Sequence, residues 1–239
     1  MLEQIRTITL IAAIVFNFGA IAMAIPASRA IRLVFLGVVG LWAGFAYEMA
    51  KSGALFGTIA GTAIPPIGIV LAVPLVAAAV TAALSPAFRR TALALPTDLL
   101  IGLNAYRVLG VFILLLGVQD QVPGPFPYFA GLGDMITGIL AVPVVMAMAR
   151  GSGRFVPLEW NAFGALDLVV AVALGVMTGP GPLQIFGAGL TGPFTMLTLP
   201  WSLIPTVLVP FYLILHGIIY AQLRRKHDVR STATAAAYR

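Results

Sequence analysis

Long apolar stretches separated by short polar segments occupy almost the whole chain. A helix of about 20 mostly apolar residues crosses the hydrocarbon core of a bilayer. The pattern therefore predicts an all-α polytopic membrane protein with seven transmembrane helices, near Thr7–Ile25, Ile31–Ala50, Gly53–Leu84, Thr97–Val118, Pro127–Ala149, Leu158–Met177 and Pro200–Leu223. The third stretch is longer than one perpendicular crossing requires and contains Pro65, Pro66 and Pro74, so we expect a tilted or broken helix there.

Composition agrees with a bilayer protein. Hydrophobic residues make up 60% of the chain and charged residues 9%, whereas about 25% of a soluble domain is charged. The net charge of +6 does not indicate a nucleic-acid partner, because the basic residues form short clusters between the apolar stretches. Cysteine is absent, which excludes disulfides, thiolate catalysis and cysteine metal ligands. The sequence implies no cofactor and no metal site.

Basic residues mark every second loop. They are Arg29, Arg32, Arg89, Arg90, Arg150, Arg154, Arg224, Arg225 and Lys226. The opposite side carries only Arg6 and Lys51, each close to a glutamate. Because lysine and arginine favour cytoplasmic loops, we expect the amino terminus outside, the carboxyl terminus in the cytoplasm, and a location in a prokaryote-like inner (plasma) membrane. A cleaved signal peptide over the first stretch is the rival interpretation.

The chain divides by polarity. We expect a single seven-helix domain over residues 1–228, with apolar scaffold helices in 1–95 and polar helices in 96–228. Residues 229–239 are small, polar and rich in alanine, which predicts a disordered cytoplasmic tail. The glycine-rich segment Thr178–Leu199 is too short to cross and too apolar for a free loop, so we expect an interfacial or re-entrant segment.

Glycines recur at every fourth position in two early stretches. Gly53, Gly57 and Gly61 would share one helix face, as would Gly40 and Gly44. Small residues at this spacing let membrane helices approach closely. The pattern predicts packing within the bundle, or contact with a second copy or with other subunits of a larger membrane complex.

Four ionisable residues, Arg107, Asp134, Asp167 and His216, interrupt apolar stretches of the second half. An unpaired charge there costs about 3 kcal/mol on the insertion scale. At a rise of about 1.5 Å per residue, Arg107 lies about 15 Å deep, Asp167 about 13 Å and Asp134 about 10 Å. These depths place all three in one layer near the midplane, so mutual pairing is strongly favoured.

Helical spacing supports this pairing. Asp134 shares a face with Gly131 and Gly138, and Asp167 shares one with Gly164. Faces of small residues point at neighbouring helices rather than at lipid. Asn104 lies three residues before Arg107, so we expect it to reach the same buried cluster.

The number of charges matters more than their pairing. One guanidinium, always charged, faces two carboxylates, and a bidentate pair would use only one of them. The other would be a buried anion that could hold a proton, bind a cation or face a water-filled cavity. A purely structural cluster that fixes helix register is the alternative.

Several polar residues are secondary candidates. His216 is predicted to be either a hydrogen-bonded packing residue or a proton relay, and Tyr212 shares its helix face. Asn161 could reach the cytoplasmic end of a cavity, and Asn17 could donate a hydrogen bond between helices. We interpret Trp160 as an anchor at the membrane interface.

Three functions fit this pattern. The first is a small permease or ion- or proton-coupled transporter that uses Arg107, Asp134 and Asp167 to bind a small-molecule or ion substrate. The second is a membrane sensor or an accessory subunit of a larger complex, with a structural cluster. The third is a membrane-embedded enzyme acting on a lipid or quinone through His216 and a carboxylate. The substrate, the coupling ion and the oligomeric state leave no signature in the sequence.

Overall fold

The computed structural model describes residues 2–60, 62–122, 124–151, 153, 155–179, 182–186 and 195–237. Helix accounts for 80% of the structure, and none of the described residues lies in a strand. The α-helices are Leu2–Ala24, Arg29–Lys51, Pro66–Leu84, Pro86–Leu93, Thr97–Leu103, Val111–Val118, Phe126–Ala149, Phe155–Thr178 and Val209–Ala237. Two 3-10 helices, Asn104–Gly110 and Thr195–Leu197, and a π-helix, Ile204–Leu208, complete the helical structure of these ranges.

Seven helical segments within the described residues are long and apolar enough to cross a membrane. We number them spans 1 to 7, at Gln4–Ala24, Arg29–Lys51, Pro66–Leu84, Thr97–Val118, Phe126–Ala149, Phe155–Thr178 and Ile204–Arg225. The prediction of an all-helical chain with seven helices of this kind is therefore confirmed. Six spans begin and end within a few residues of the predicted bounds, and the third differs.

Span 3 begins at Pro66 rather than at Gly53. Pro66 occupies the first helical position, where the missing N–H of a proline would be unpaired anyway. Pro65 caps the helix in an extended conformation, as is usual for a residue before a proline. Gly53 and Gly57 both have φ of +76°, in turns before the helix. A glycine face over Gly53, Gly57 and Gly61 was therefore a wrong prediction, with Gly61 itself outside the described residues.

The glycines of span 2 lie on an open surface. A Cβ atom built on Gly40 or on Gly44 meets no other atom within 4 Å. Packing within the described bundle therefore does not explain this pair, and its use between copies or subunits stays a prediction. Span 3 is similarly peripheral, since only 6% of the apolar window of either span is buried.

The most extensive contacts join spans 4, 5, 6 and 7, with span 5 packed against both span 4 and span 6. Spans 4 and 5 touch through their backbones. A Cβ atom on Gly138 would lie 2.5 Å from the amide nitrogen of Val108, and one on Gly110 would lie 2.8 Å from the Gly131 carbonyl oxygen. These glycines permit the close approach on which the site described below depends.

Span 4 changes its helical form at mid-length. Its middle segment, Asn104–Gly110, is a 3-10 helix between two α-helical ends. Runs of 3-10 helix longer than three or four residues are uncommon and often mark a hinge or a sequence under strain. Span 7 likewise begins with the π-helix Ile204–Leu208, a form that is frequent near functional sites.

Two segments, the predicted tail and the predicted re-entrant segment, differ in how far the structure describes them. The last helix continues to Ala237 and so covers most of residues 229–239, for which composition predicts a disordered tail. Alanine is the strongest helix former, and residues 235–237 are all alanine. In the predicted re-entrant segment, residues 180, 181 and 187–194 lie outside the described residues, and Thr195–Leu197 form a 3-10 turn.

Candidate functional site

One buried guanidinium binds both aspartates. Arg107 is 3% exposed, in the 3-10 segment of span 4. Its Nε donates to Asp134 Oδ1 over 2.7 Å, and its Nη2 donates to Asp167 Oδ2 over 2.5 Å. The structure thus brings together the three charged side chains that the sequence predicts to pair, from spans 4, 5 and 6.

Two further acceptors fix the same guanidinium. Nη1 donates to the Gly164 carbonyl oxygen and to His216 Nε2, over 3.0 Å in each case. Gly164 also leaves room for the imidazole, because a Cβ atom there would lie 2.7 Å from His216 Cε1. Four of the five guanidinium N–H groups therefore have acceptors, from spans 5, 6 and 7. We call Arg107, Asp134, Asp167 and His216 the Arg107 cluster.

The partners of His216 determine which ring nitrogen carries the proton. A guanidinium can only donate, so His216 Nε2 accepts, and the ring is neutral with its proton on Nδ1. That proton is donated to Asn161 Oδ1, which lies 2.9 Å away. The Asn161 amide donates in turn to the His216 carbonyl oxygen over 3.2 Å. His216 and Asn161 therefore orient Arg107 in this arrangement, and both ring nitrogens are engaged in hydrogen bonds.

Tyr212 also lies against the guanidinium. The Arg107 Cζ atom is 5.9 Å from the centroid of its ring, within the range of a cation–π contact. Asn17, the candidate from span 1, is fully buried and donates to the Ala13 carbonyl oxygen of its own helix over 2.8 Å. The Asn17 side chain also forms a hydrogen bond with Tyr212 of span 7, which is the contact between helices predicted for it.

Asn104 does not reach the cluster, contrary to the prediction. Its side-chain amide donates to the Leu100 carbonyl oxygen over 3.0 Å. Where the helix tightens, the backbone N–H of Asn104 turns to the Ile101 and Gly102 carbonyls. The Leu100 carbonyl is then free to accept from the side chain, which holds Asn104 on its own span.

Sequence reasoning missed two contributors to the site. Trp160 is 5% exposed and is not an interface anchor: its ring centroid lies 5.5 Å from that of His216, and its Nε1 donates to the Thr137 carbonyl oxygen over 3.0 Å. Its position seven residues before Asp167, on the same helix face, is the signal that could have indicated this. The Gly164 carbonyl carries no sequence signal as an acceptor.

Asp134 lines a crevice. The crevice has a volume of about 100 Å³ and lies among the 52–65 loop, span 3, spans 4 to 6, the turn at 182–183 and the start of span 7. Among the described residues that line it, Asp134 is the only charged one, and the walls are almost entirely apolar. We call this space the Asp134 crevice. A smaller cavity of about 40 Å³, beside Arg107 and Tyr212, also borders Asp134.

Asp167 borders a different space. A groove of about 480 Å³ runs between spans 5 and 6, with apolar and aromatic walls that include Tyr128, Phe129 and Phe163. Most of its wall residues are exposed on the outer surface of the bundle, where a bilayer would supply lipid. The Asp167 carboxylate lies directly against Gly133 at its floor, in space that a Cβ atom would fill. We call this space the Asp167 groove.

The charges of the Arg107 cluster do not cancel. With both carboxylates ionised, one guanidinium leaves one excess negative charge, and His216 contributes none. A buried charge without compensation is strongly unfavourable. The cluster becomes electroneutral when it takes up one proton or one monovalent cation, which is the chemistry that this arrangement supports.

Comparison with known proteins gives a family and no activity. A family profile, described as "Domain of unknown function (DUF8737)", matches residues 64–224, well over half of the 239 residues. The chain belongs to this family. The DUF8737 region begins just before span 3, ends within span 7, and contains the whole Arg107 cluster. No curated protein and no solved structure matches the chain.

Proposed function

We propose that the chain is a small proton- or ion-coupled permease and that the Arg107 cluster carries the coupling ion. The observation that carries the proposal is a single guanidinium bonded to two carboxylates that border different cavities. A structural ion pair needs one acid. The second acid gives the cluster a charge deficit that a proton or cation fills.

Separate cavities give the two acids separate access. Asp134 lines the Asp134 crevice, and Asp167 lies at the floor of the Asp167 groove. When one carboxyl holds the coupling ion, the guanidinium binds the other more strongly, because only that one remains fully charged. Transfer of the ion between the acids therefore shifts Arg107. The 3-10 segment that carries Arg107 is the element that we expect to adjust.

Orientation belongs to the same proposal. The basic loops favour a cytoplasmic carboxyl terminus, and we propose the inner membrane of a prokaryote-like cell as the site of action. The 52–65 loop, which borders the Asp134 crevice, then lies on the outer side. The crevice would accept substrate from outside the cell, and the substrate would contact Asp134 before Asp167.

An accessory or sensory subunit is the second candidate. The open glycine positions on span 2 and the exposed apolar surfaces of spans 2 and 3 favour it, because a partner could pack there. Purification in a mild detergent distinguishes the two: a stoichiometric partner that stays bound supports this candidate. The enzyme hypothesis gains nothing from His216, since both its ring nitrogens are engaged.

Proton coupling can be tested before the substrate is known. Everted membrane vesicles are acidified by respiration, a pH-sensitive dye reports the gradient, and pools of organic cations, organic anions and neutral solutes are added in turn. We expect one pool to change the gradient in wild-type vesicles but not in Asp134→Asn or Asp167→Asn vesicles. Asp98→Asn is the matched control, because Asp98 is exposed in the first turn of span 4. If no pool separates wild type from either cluster variant at equal abundance, the proton-coupled form of the transport proposal fails.

A further inference from the structure

We propose that the Asp134 crevice binds a small organic ammonium ion with an apolar body, and that this ion replaces the proton of the Arg107 cluster. The inference names a substrate class for the site of the proposed function and rests on that function for the transport step. Its binding step can be tested independently.

The walls of the crevice favour an apolar body. Leu168, Val172 and Met196 are typical of the lining, and Thr58 is one of the few polar residues there. Ligand sites of this kind bind apolar groups and orient them through a few polar contacts. A hydrated inorganic cation would not be matched, because such ions require several oxygen ligands. An alkylated ammonium ion holds its water weakly and can enter an apolar space.

The single charge in the crevice selects a cation. Asp134 Oδ1 accepts from Arg107, and Oδ2 accepts no hydrogen bond from any described residue. The Asp134 side chain is 15% exposed, so the carboxylate is not sealed by the bundle. Arg107 does not line the crevice, and four of its N–H groups already have acceptors. An anionic ligand would therefore meet a carboxylate and, among the described lining residues, no cationic side chain.

The enclosed volume of the crevice matches a compact ammonium head group rather than a ring and a head group together. The crevice volume of about 100 Å³ is somewhat below the roughly 150 Å³ of an apolar cavity that holds benzene. Phe126 forms part of the wall at the outer end of the crevice, about 12 Å along span 5 from Asp134. Benzyltrimethylammonium serves as the probe, with its head group directed at Asp134 and its ring toward the open, outer side of the crevice beside Phe126.

Exchange with a proton follows from the charge count. Without a ligand, the excess carboxyl of the cluster keeps its O–H bond. When the ammonium ion binds, that bond breaks, the proton leaves to solvent, and the carboxylate pairs with the ligand. One cation enters for one proton released, so the charge of the cluster stays the same.

Binding and proton release can be measured on the purified full-length chain in detergent. Calorimetric titration with benzyltrimethylammonium in two buffers of different ionisation enthalpy gives affinity and protons released together. We expect about one proton per site, and an apparent affinity that weakens about tenfold per pH unit where the proton competes. Neopentylbenzene, the neutral isostere, should release none. Equal binding of the isostere, cation binding without proton release, or no cation binding would each overturn the inference.

Variants locate the site. Ala171 lines the crevice, while Ala173, two residues along the same helix, is exposed and does not line it. We expect Ala171→Leu to weaken binding at least tenfold and Ala173→Leu to leave it unchanged; equal effects would place the ligand elsewhere. Asp134→Asn should abolish proton release, and the alanine pair decides the matter if that variant does not fold.

Failure of this inference is distinguishable from failure of the proposed function. If the probe binds with proton release but no solute pool changes the vesicle gradient, the ammonium site is supported and proton-coupled transport is excluded. If an anionic or neutral pool changes the gradient and the probe does not bind, transport stands and the ammonium site is wrong.

Discussion

Replacing Arg107 with methionine removes the cation that holds two buried carboxylates. Methionine is unbranched and similar in length, so the substitution changes the charge more than the packing. The Arg107 side chain is only 1% exposed, and water cannot replace the lost partner easily. At least one of Asp134 and Asp167 would remain without a cation in the interior.

The expected effect follows from the two hydrogen bonds to the carboxylates. Each hydrogen bond to a charged group contributes about 1.5–3 kcal/mol, so their loss should lower the free energy of unfolding by about 3–6 kcal/mol. Removal of one partner from a buried ion pair typically costs about 3–5 kcal/mol. We therefore expect a loss of about 4 kcal/mol, measured by reversible unfolding in mixed micelles titrated with sodium dodecyl sulfate.

A triple variant separates charge from packing. Adding Asp134→Asn and Asp167→Asn to Arg107→Met leaves no charged side chain in the cluster, and stability should return to within about 2 kcal/mol of wild type. Arg29→Met is the control, since Arg29 is exposed and surface substitutions usually change stability by less than about 0.5 kcal/mol. An Arg107→Met variant as stable as the control, or a triple variant as unstable as the single one, would refute the reasoning.

Three further outcomes are expected. Gly138→Ala should lower the free energy of unfolding by about 1–3 kcal/mol, because its Cβ would lie 2.5 Å from a backbone nitrogen of span 4. Gly40→Ala, with open space around it, should not be destabilised, and equal losses in the two variants would contradict the packing described. Dicyclohexylcarbodiimide modifies protonated carboxyls from the lipid phase, so it should label Asp167 through the Asp167 groove, and the labelling should increase at lower pH. Mass spectrometry that found label on Asp134 alone would exclude access to Asp167 from lipid. His216→Phe removes an acceptor from Arg107 and should cost about 1–3 kcal/mol in the same unfolding assay, so unchanged stability would show that His216 does not position the guanidinium.

The membrane spans could be predicted because length and polarity alone define them. The start of span 3 was misplaced, because glycine occurs both in membrane helices and in turns. Only the positive φ of Gly53 and Gly57 distinguishes these cases. Pro65 and Pro66 were the available signal, because a proline pair favours a helix start over a helix interior.

The charged cluster was predictable for an energetic reason. Three charges at one depth in an apolar medium must meet, whatever the details of packing. Asn104 was misplaced because the prediction assumed a regular α-helix, while span 4 tightens to a 3-10 helix at that residue. The Asp134 crevice and the Asp167 groove arise from side-chain packing of distant segments, which helix periodicity does not encode.

The central claim is that the Arg107 cluster holds one exchangeable proton shared between Asp134 and Asp167. Infrared spectroscopy of the purified chain without added ligand tests it directly, because a protonated carboxyl has a C=O band that shifts in heavy water. We predict one such band from the cluster at neutral pH, absent from both Asp134→Asn and Asp167→Asn, since the remaining acid then pairs with Arg107 and ionises. A wild-type spectrum without the band, or a band that persists in both variants, would contradict the account.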